Sequence, residues 1–112
     1  MNRAYLGEFE EIVLLTVAAL DGDAYGVALT HEIAEQTGRS VKLNQIHSAL
    51  QRLEEKGMLK SDMGEPTAER GGRRKRLYSL TAYGQRTLQQ TREVRENLWS
   101  RLAKPFTLAL DL

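Results

Sequence analysis

Residues 50–80 read LQRLEEKGMLKSDMGEPTAERGGRRKRLYSL, and the order of events in that stretch decides the fold. A helical apolar stripe reaches its end near Lys56, and Gly57 stops it. A short strand candidate follows, Leu59 to Met63. The segment GEPTAERGG at 64–72 holds one proline and three of the chain's nine glycines, so it reads as a loop. A second strand candidate runs from about Arg74 to Leu80, and two short strands joined in this way form a β-hairpin. Around Gly71 and Gly72 stand Arg70, Arg73, Arg74, Lys75 and Arg76. Their mutual repulsion is relieved by a polyanion or, more plainly, by water at a surface loop.

Upstream, a helix is expected from Leu43 to Lys56, with Ser40, Lys42 and Asn44 as cap candidates. Ile46, Ala49, Leu50 and Leu53 recur at i, i+3, i+4, i+7 and form a buried stripe. Asn44, Gln45, Ser48, Gln51 and Arg52 fall on the other side. Amides and hydroxyls donate and accept at once, which suits the edges of bases in a major groove. Before this helix, Tyr25, Leu29 and Ile33 mark one face of another, about Ala24 to Thr37, with Asp23 as its expected cap and Gly38 as its stop. The first helix, Glu8 to Leu20, is apolar on nearly every side. Such a helix has to be covered all round, and a chain of 112 residues has little material for that.

The last helix is expected to start after Thr81 as cap and to run to about Lys104, where Pro105 ends it, for more than 20 residues. Leu88, Thr91, Val94, Leu98 and Leu102 form a narrow stripe along it, with Trp99 beside the stripe. A narrow seam on a long helix suits a helix–helix interface.

The totals agree with one small globular unit. The apolar content is 41% and the charged content 28%. Cysteine is absent, which excludes a disulfide framework and thiolate chemistry. No apolar run is long enough to span a bilayer, and the acidic start is unlike a signal peptide, so a cytoplasmic chain without a membrane partner is expected. The net charge of +1 hides a gradient. Residues 1–38 carry one basic residue against seven acidic, residues 39–76 ten against five, and residues 77–112 five against three. A basic middle third suggests a face for an anionic partner.

The order helix, helix, helix, hairpin, helix is that of a winged helix–turn–helix: mainly α with a small β-hairpin, followed by a long C-terminal helix. The expected division is a DNA-binding domain over 1–80 and a dimerisation helix and tail over 81–112. In this architecture the third helix enters the major groove and the hairpin, or wing, reaches phosphates or the adjacent minor groove. Gly71 and Gly72 let the backbone bend and approach the duplex closely.

The stretches LGEFEEIVLLTVAAL (6–20), AYGVAL (24–29), LQRLEEKGML (50–59) and GEPTAERGGRRKRLYSLTAYG (64–84) resemble the PadR family of bacterial transcriptional regulators. The resemblance covers roughly residues 6–90. It implies a homodimeric repressor of transcription that binds double-stranded DNA at a roughly palindromic operator, with release by a small-molecule effector in some relatives. It further implies that Gln45, His47 and Ser48, with Asn44, line the groove, and that Lys42, Arg52 and wing residues Arg70, Arg73, Arg74, Lys75 and Arg76 meet phosphates. Tyr25 becomes a core or backbone-supporting residue. Leu88, Val94, Leu98, Trp99 and Leu102 belong to a last helix that crosses to the partner and covers its first helix. The chain departs from the family at Asn44 and His47, where relatives usually carry a small residue and a tyrosine.

Several residues admit two readings. His47 is either a pH-responsive group or a neutral neighbour of DNA. Trp99 either stacks on a planar effector or packs in the dimer core. His31 and Glu35 have the i, i+4 spacing of metal ligands, but no cysteine or further histidine completes a set, so no metal or cofactor is expected. Glu69 and Arg70 can pair at the surface. No nucleophile motif, paired acid and base or phosphate-cradling loop is present, so no enzyme is expected. The alternative function is a winged-helix module for protein association without DNA.

Overall fold

The computed structural model describes residues 6–65, 74–104 and 106. The elements follow the expected order: α1 Glu8–Leu20, α2 Gly26–Thr37, α3 Leu43–Glu55, β1 Leu59–Met63, β2 Arg76–Leu80 and α4 Ala82–Ser100. None of the described helices is long and apolar enough to cross a membrane.

α1 starts where its charges favour it. The Gly7 N–H donates to the Glu10 carboxylate at 3.2 Å, and Glu8, Glu10 and Glu11 sit in the first turn, at the positive end of the helix dipole. α2 starts two residues later than expected, and Asp23 does not cap it. Tyr25 holds the cap position, and its side chain makes no capping hydrogen bond. The cause is tertiary. The Ala24 carbonyl accepts the Tyr78 N–H at 2.9 Å, which stretches this segment alongside β2 and keeps Ala24 out of the helix. Gly38, at φ 73°, ends α2 as expected.

α3 takes Lys42 as its cap position, and the Lys42 N–H donates to the Gln45 side-chain oxygen at 3.0 Å. Its end is a Schellman motif. The Met58 N–H reaches the Leu53 carbonyl and the Gly57 N–H reaches that of Glu54, both at 2.9 Å, with Gly57 at φ 78°. β1 and β2 then pair antiparallel from Leu59↔Leu80 to Met63↔Arg76. β2 therefore begins at Arg76 rather than Arg74, because Met63↔Arg76 is the last registered pair of the ladder. The Gly64 N–H instead bonds the Lys75 carbonyl at 2.6 Å and closes the root of the loop.

Thr81 caps α4 as expected, accepting the Gly84 N–H at 3.0 Å while its hydroxyl donates to the Gly57 carbonyl at 2.6 Å. One side chain thus joins the end of α3 to the start of α4. The helix is 19 residues long and ends at Ser100, short of the expected Lys104. Near its end Ser100 Oγ donates to the Asn97 carbonyl at 2.7 Å, and the Arg101 and Leu102 N–H groups turn to the carbonyls of Leu98 and Trp99. Such local bonds compete with the helical ladder. Pro105 lies outside the described residues.

The core forms where the three short helices and the hairpin meet. Val13, Leu14 and Val17 from α1, Leu29 and Ile33 from α2, and Ile46, Ala49, Leu50 and Leu53 from α3 are all buried, with Met58, Leu59 and Tyr78 closing one end. Both stripes read from the sequence on α2 and α3 face inward, although Tyr25 itself is only half-buried. α4 behaves differently along its length. Gly84 and Thr87 are buried and Leu88 packs on the core, whereas residues 92–100 are exposed throughout. The chain's radius of gyration is 16.9 Å, against about 13 Å for a compact domain of this length. The outer half of α4 is an arm.

Gly84 is where the arm is rooted: a Cβ there would run into the Met58 carbonyl. On an exposed helix face, Gly→Ala stabilises by up to about 1 kcal/mol. Here Gly84→Ala is expected to destabilise by about 1–3 kcal/mol, the usual cost of overpacking against a fixed backbone, read as a lower midpoint in urea unfolding.

Candidate nucleic-acid interface

The burial of Ile46, Ala49, Leu50 and Leu53 sets the rotation of α3 about its axis. At 3.6 residues per turn the opposite face carries Asn44, Ser48 and Gln51, and all three are exposed. Gln51 belongs with the candidates for base contact on this geometry. Its place on the polar side was legible, but its central position depends on which way the buried stripe points. Gln45 and Arg52 flank this face on the α1 side, where they line a recess of about 300 Å³ with Phe9, Asn44 and Ser48.

His47 flanks the other side. It enters a cleft of about 290 Å³ with Tyr25, Gly26, Leu43 and the wing-root cations Arg74, Lys75 and Arg76. A Cβ on Gly26 would lie 3.1 Å from the imidazole Cε1, so the glycine is what admits a ring at position 47. The first turn of α2, which opens onto this cleft, has no acidic residue and no side-chain cap. Its N–H groups add partial positive charge to the three cations.

The basic residues divide by what already holds them. The Lys75 ammonium lies 4.1 Å from the centre of the Tyr25 ring, a cation–π contact that ties the wing root to α2. Arg76 Nη1 donates to Ser61 Oγ at 3.0 Å, and that hydroxyl donates to Glu54 at 2.9 Å. Arg52 Nε donates to Glu10 at 3.2 Å, beside Lys56 at 2.8 Å. Arg74 and Lys42 are exposed and have no hydrogen bond or ion pair from their charged ends among the described residues. Arg70 and Arg73, with Glu69, Gly71 and Gly72, lie outside the described residues.

Glu10 was not legible as a site residue, because its partners lie 42 and 46 positions away. Its residue is only 7% exposed. Burial pushes its carboxyl pKa up, but hydrogen bonds from Lys56, the Gly7 N–H and Arg52 together outweigh that and hold it below the ordinary value. It thereby fastens the C-terminal half of α3 to α1.

On the outer half of α4, Leu98 and Trp99 are 65% and 61% exposed, with Val94 and Leu102 also open to solvent. Trp99 meets Phe106 edge-on, with ring centres 5.5 Å apart. Leu98, Trp99, Leu102 and Phe106 line a shallow recess of about 250 Å³ with Arg95. Leu88, expected in the same seam, is half-buried and packs against the core. α1 also keeps an uncovered face: Leu15 is 48% exposed, and it lines a groove of about 410 Å³ between α1 and α2 with Ile12, Ala19 and Ile33. His31 and Glu35 are exposed, and no cluster of three metal-capable side chains occurs among the described residues.

Residues 14–90 match the transcriptional regulator PadR-like family. The chain belongs to that family. Its fold is also that of solved relatives. A PadR family transcriptional regulator from Eggerthella lenta is 25% identical, with 83% of this chain and 80% of that one covered at a TM-score of 0.64. A transcriptional regulator from Clostridium thermocellum is 28% identical over 85% and 92% of the two chains, with a TM-score of 0.63. The complex structure of hsRosR-S1 shares the fold at 21% identity and a TM-score of 0.70, covering 88% and 80%. No curated protein matches the sequence. The PadR-like chain is thus a transcriptional regulator, and its winged helix is of the DNA-binding kind.

For this PadR-like regulator, the Glu10 anchor carries a pH signature. A carboxyl whose folded pKa is depressed contributes stability above its unfolded pKa and loses it as pH falls through the folded value. Glu10→Gln is expected to cost about 1–2 kcal/mol at pH 7, discounted for the half-exposed cations. The difference from wild type should shrink towards zero as the pH falls through the depressed folded value, measured by urea unfolding across pH.

Proposed function

We propose that this regulator is a homodimeric, sequence-specific repressor acting on double-stranded DNA in the cytoplasm. One observation carries the reading: the outward amide and hydroxyl face of α3, Asn44, Ser48 and Gln51, stands beside a cationic wing root whose Arg74 has no partner among the described residues. The first set suits base edges in a major groove. The second suits phosphates and makes affinity fall with salt. Residues 1–80 do the binding and residues 81–112 the pairing. Lys42 and Arg52 flank the face as phosphate contacts, Arg52 while still held by Glu10. Gln45 and His47 border the bases on either side, so Asn44 and His47, the two departures from the family pattern, both act at the DNA.

Dimerisation is supported by two apolar surfaces left open on one chain, the arm around Leu98 and Trp99 and the face of α1 around Leu15. Each arm covers the partner's α1, and the two-fold axis places the two α3 helices about 34 Å apart, one turn of B-DNA. The operator is then roughly palindromic. A dimer seated on a promoter represses by occupying it. The Trp99 recess lies in the interface, and a planar effector held there would release DNA by changing the separation of the two helices.

Two sets of variants test this. Arg74→Ala should weaken binding to all duplexes alike and flatten the slope of log affinity against log salt by about 1.8 per dimer, one phosphate lost per subunit. Ser48→Ala or Gln45→Ala should instead relax preference at individual base pairs by about 1–3 kcal/mol. Fluorescence anisotropy across duplexes and salt concentrations separates the two patterns, and one common sequence-independent effect would refute the division of roles. Leu98→Asp should shift the protein from dimer to monomer in sedimentation and cost at least about tenfold in affinity for a palindromic site, because the second half-site no longer adds to the first.

A further inference from the structure

The first turn of α1 carries three carboxylates, and each holds a different part of the molecule. Glu8 pairs with Arg39, in the connection between α2 and α3, at 2.7 Å. Glu10 pairs with Arg52 on α3 and with Lys56 at its C-terminal cap. Glu11 pairs with Arg95 on α4, also at 2.7 Å. The reading helix and the arm are therefore fastened to the same helical turn.

For α4 this second fastening matters because of where the first one lies. The helix is rooted at Gly84, Thr87 and Leu88, and every residue from 92 to 100 is exposed. Within that outer stretch, Arg95 makes the one side-chain bond to another element among the described residues; Arg92 pairs only with Glu96 of the same helix. Glu11 is the better-shielded partner, its side chain 16% exposed against 60% for Arg95.

From root to tip, Gly84 to Ser100, the arm measures about 24 Å at 1.5 Å per residue. A tilt of about 10° at the root moves the tip by about 4 Å by lever geometry, more than the roughly 3.4 Å step between base pairs. The pair need not be strong to matter. An exposed ion pair shifts an equilibrium by about fivefold at most, which is enough to select one tilt among several.

We infer that Arg95, held by Glu11, is a positioning residue that sets the half-site spacing of the operator, by fixing the angle of the dimer arm relative to α3. This rests on the dimeric DNA-binding reading above. It assigns to the pair no contact with DNA and no part in base preference.

The test uses the full chain and a palindromic duplex obtained by in vitro selection. The half-sites are then moved by −1, +1 and +2 base pairs, and affinities are measured by competition anisotropy. Wild type should prefer its selected spacing by about tenfold over the neighbouring ones, and Arg95→Gln should reduce that preference to about threefold or less. Arg95 also lines the Trp99 recess, so Glu11→Gln, which removes the partner from α1 instead, should give the same result. Arg95→Lys should restore most of the preference. Base preference within each half-site should not change, and spacing preferences are compared with every variant held as a dimer, at concentrations above the dimer dissociation constant measured in sedimentation. Undiminished spacing preference in both Gln variants would overturn the proposal. So would a loss accounted for by weaker dimerisation, or no recovery with lysine. A wild-type chain bound to no duplex would overturn the DNA-binding reading, and this proposal with it.

Discussion

Withdrawal of one stripe of α3 from water is the constraint on which the rest of the structure depends. Ile46, Ala49, Leu50 and Leu53 are fully buried against α1, α2 and the root of the hairpin. Each large side chain among them contributes about 1.5–3 kcal/mol, so turning α3 about its axis would forfeit most of that. The helix is thereby locked in azimuth. Because side chains on a helix are spaced at fixed angles, the same lock determines what faces outward, which is Asn44, Ser48 and Gln51, followed by Glu55, whose carboxylate accepts from the Gln51 amide at 3.4 Å. The apolar stripe is thus the reason that the polar face is a defined surface.

The second layer of organisation is electrostatic and centres on α1. Its acidic first turn suits the helix dipole, but its larger effect is to gather cations from distant elements. Glu10 shows both sides of such a device. Burying a carboxylate is costly unless it is paired and hydrogen-bonded, and here Lys56, Arg52 and the Gly7 N–H do both. The acidic first third and basic middle third of the sequence are therefore partly one another's counterions within the fold. Which cations beside the outward face of α3 are left unpaired, Arg74 and Lys42 among the described residues, is more informative about a polyanion than the total of basic residues.

The wing root illustrates how a basic cluster is divided by geometry. Arg74, Lys75 and Arg76 are adjacent in sequence and look equivalent. Once β2 pairs with β1, Arg76 lies in the ladder and reaches Ser61, while Lys75 settles over Tyr25. Arg74 remains outward. The seam on α4 divides in a similar way. Leu88 turns to its own core, whereas Val94, Leu98 and Trp99 lie beyond the domain. An even apolar stripe is thus divided into a part packed on the core and a part open to solvent.

Helix-period stripes, glycine stops and the Thr81 cap determined by themselves the order of the elements, the bounds of α1 and β1, the C-terminal end of α2, the start of α3 and, to within one residue, its end at Glu55, and the winged-helix class. These signals act between residues at most a few positions apart, where backbone geometry alone connects pattern to shape. The later start of α2 was decided by a hydrogen bond between Ala24 and Tyr78, 54 positions apart. The anchoring of Arg52 and Arg95 was decided by carboxylates on α1, and the central place of Gln51 by how α3 is turned in the core. Those features need two distant segments to meet, and a chain's pattern specifies which side of each segment is apolar without specifying which atoms of another segment will lie against it.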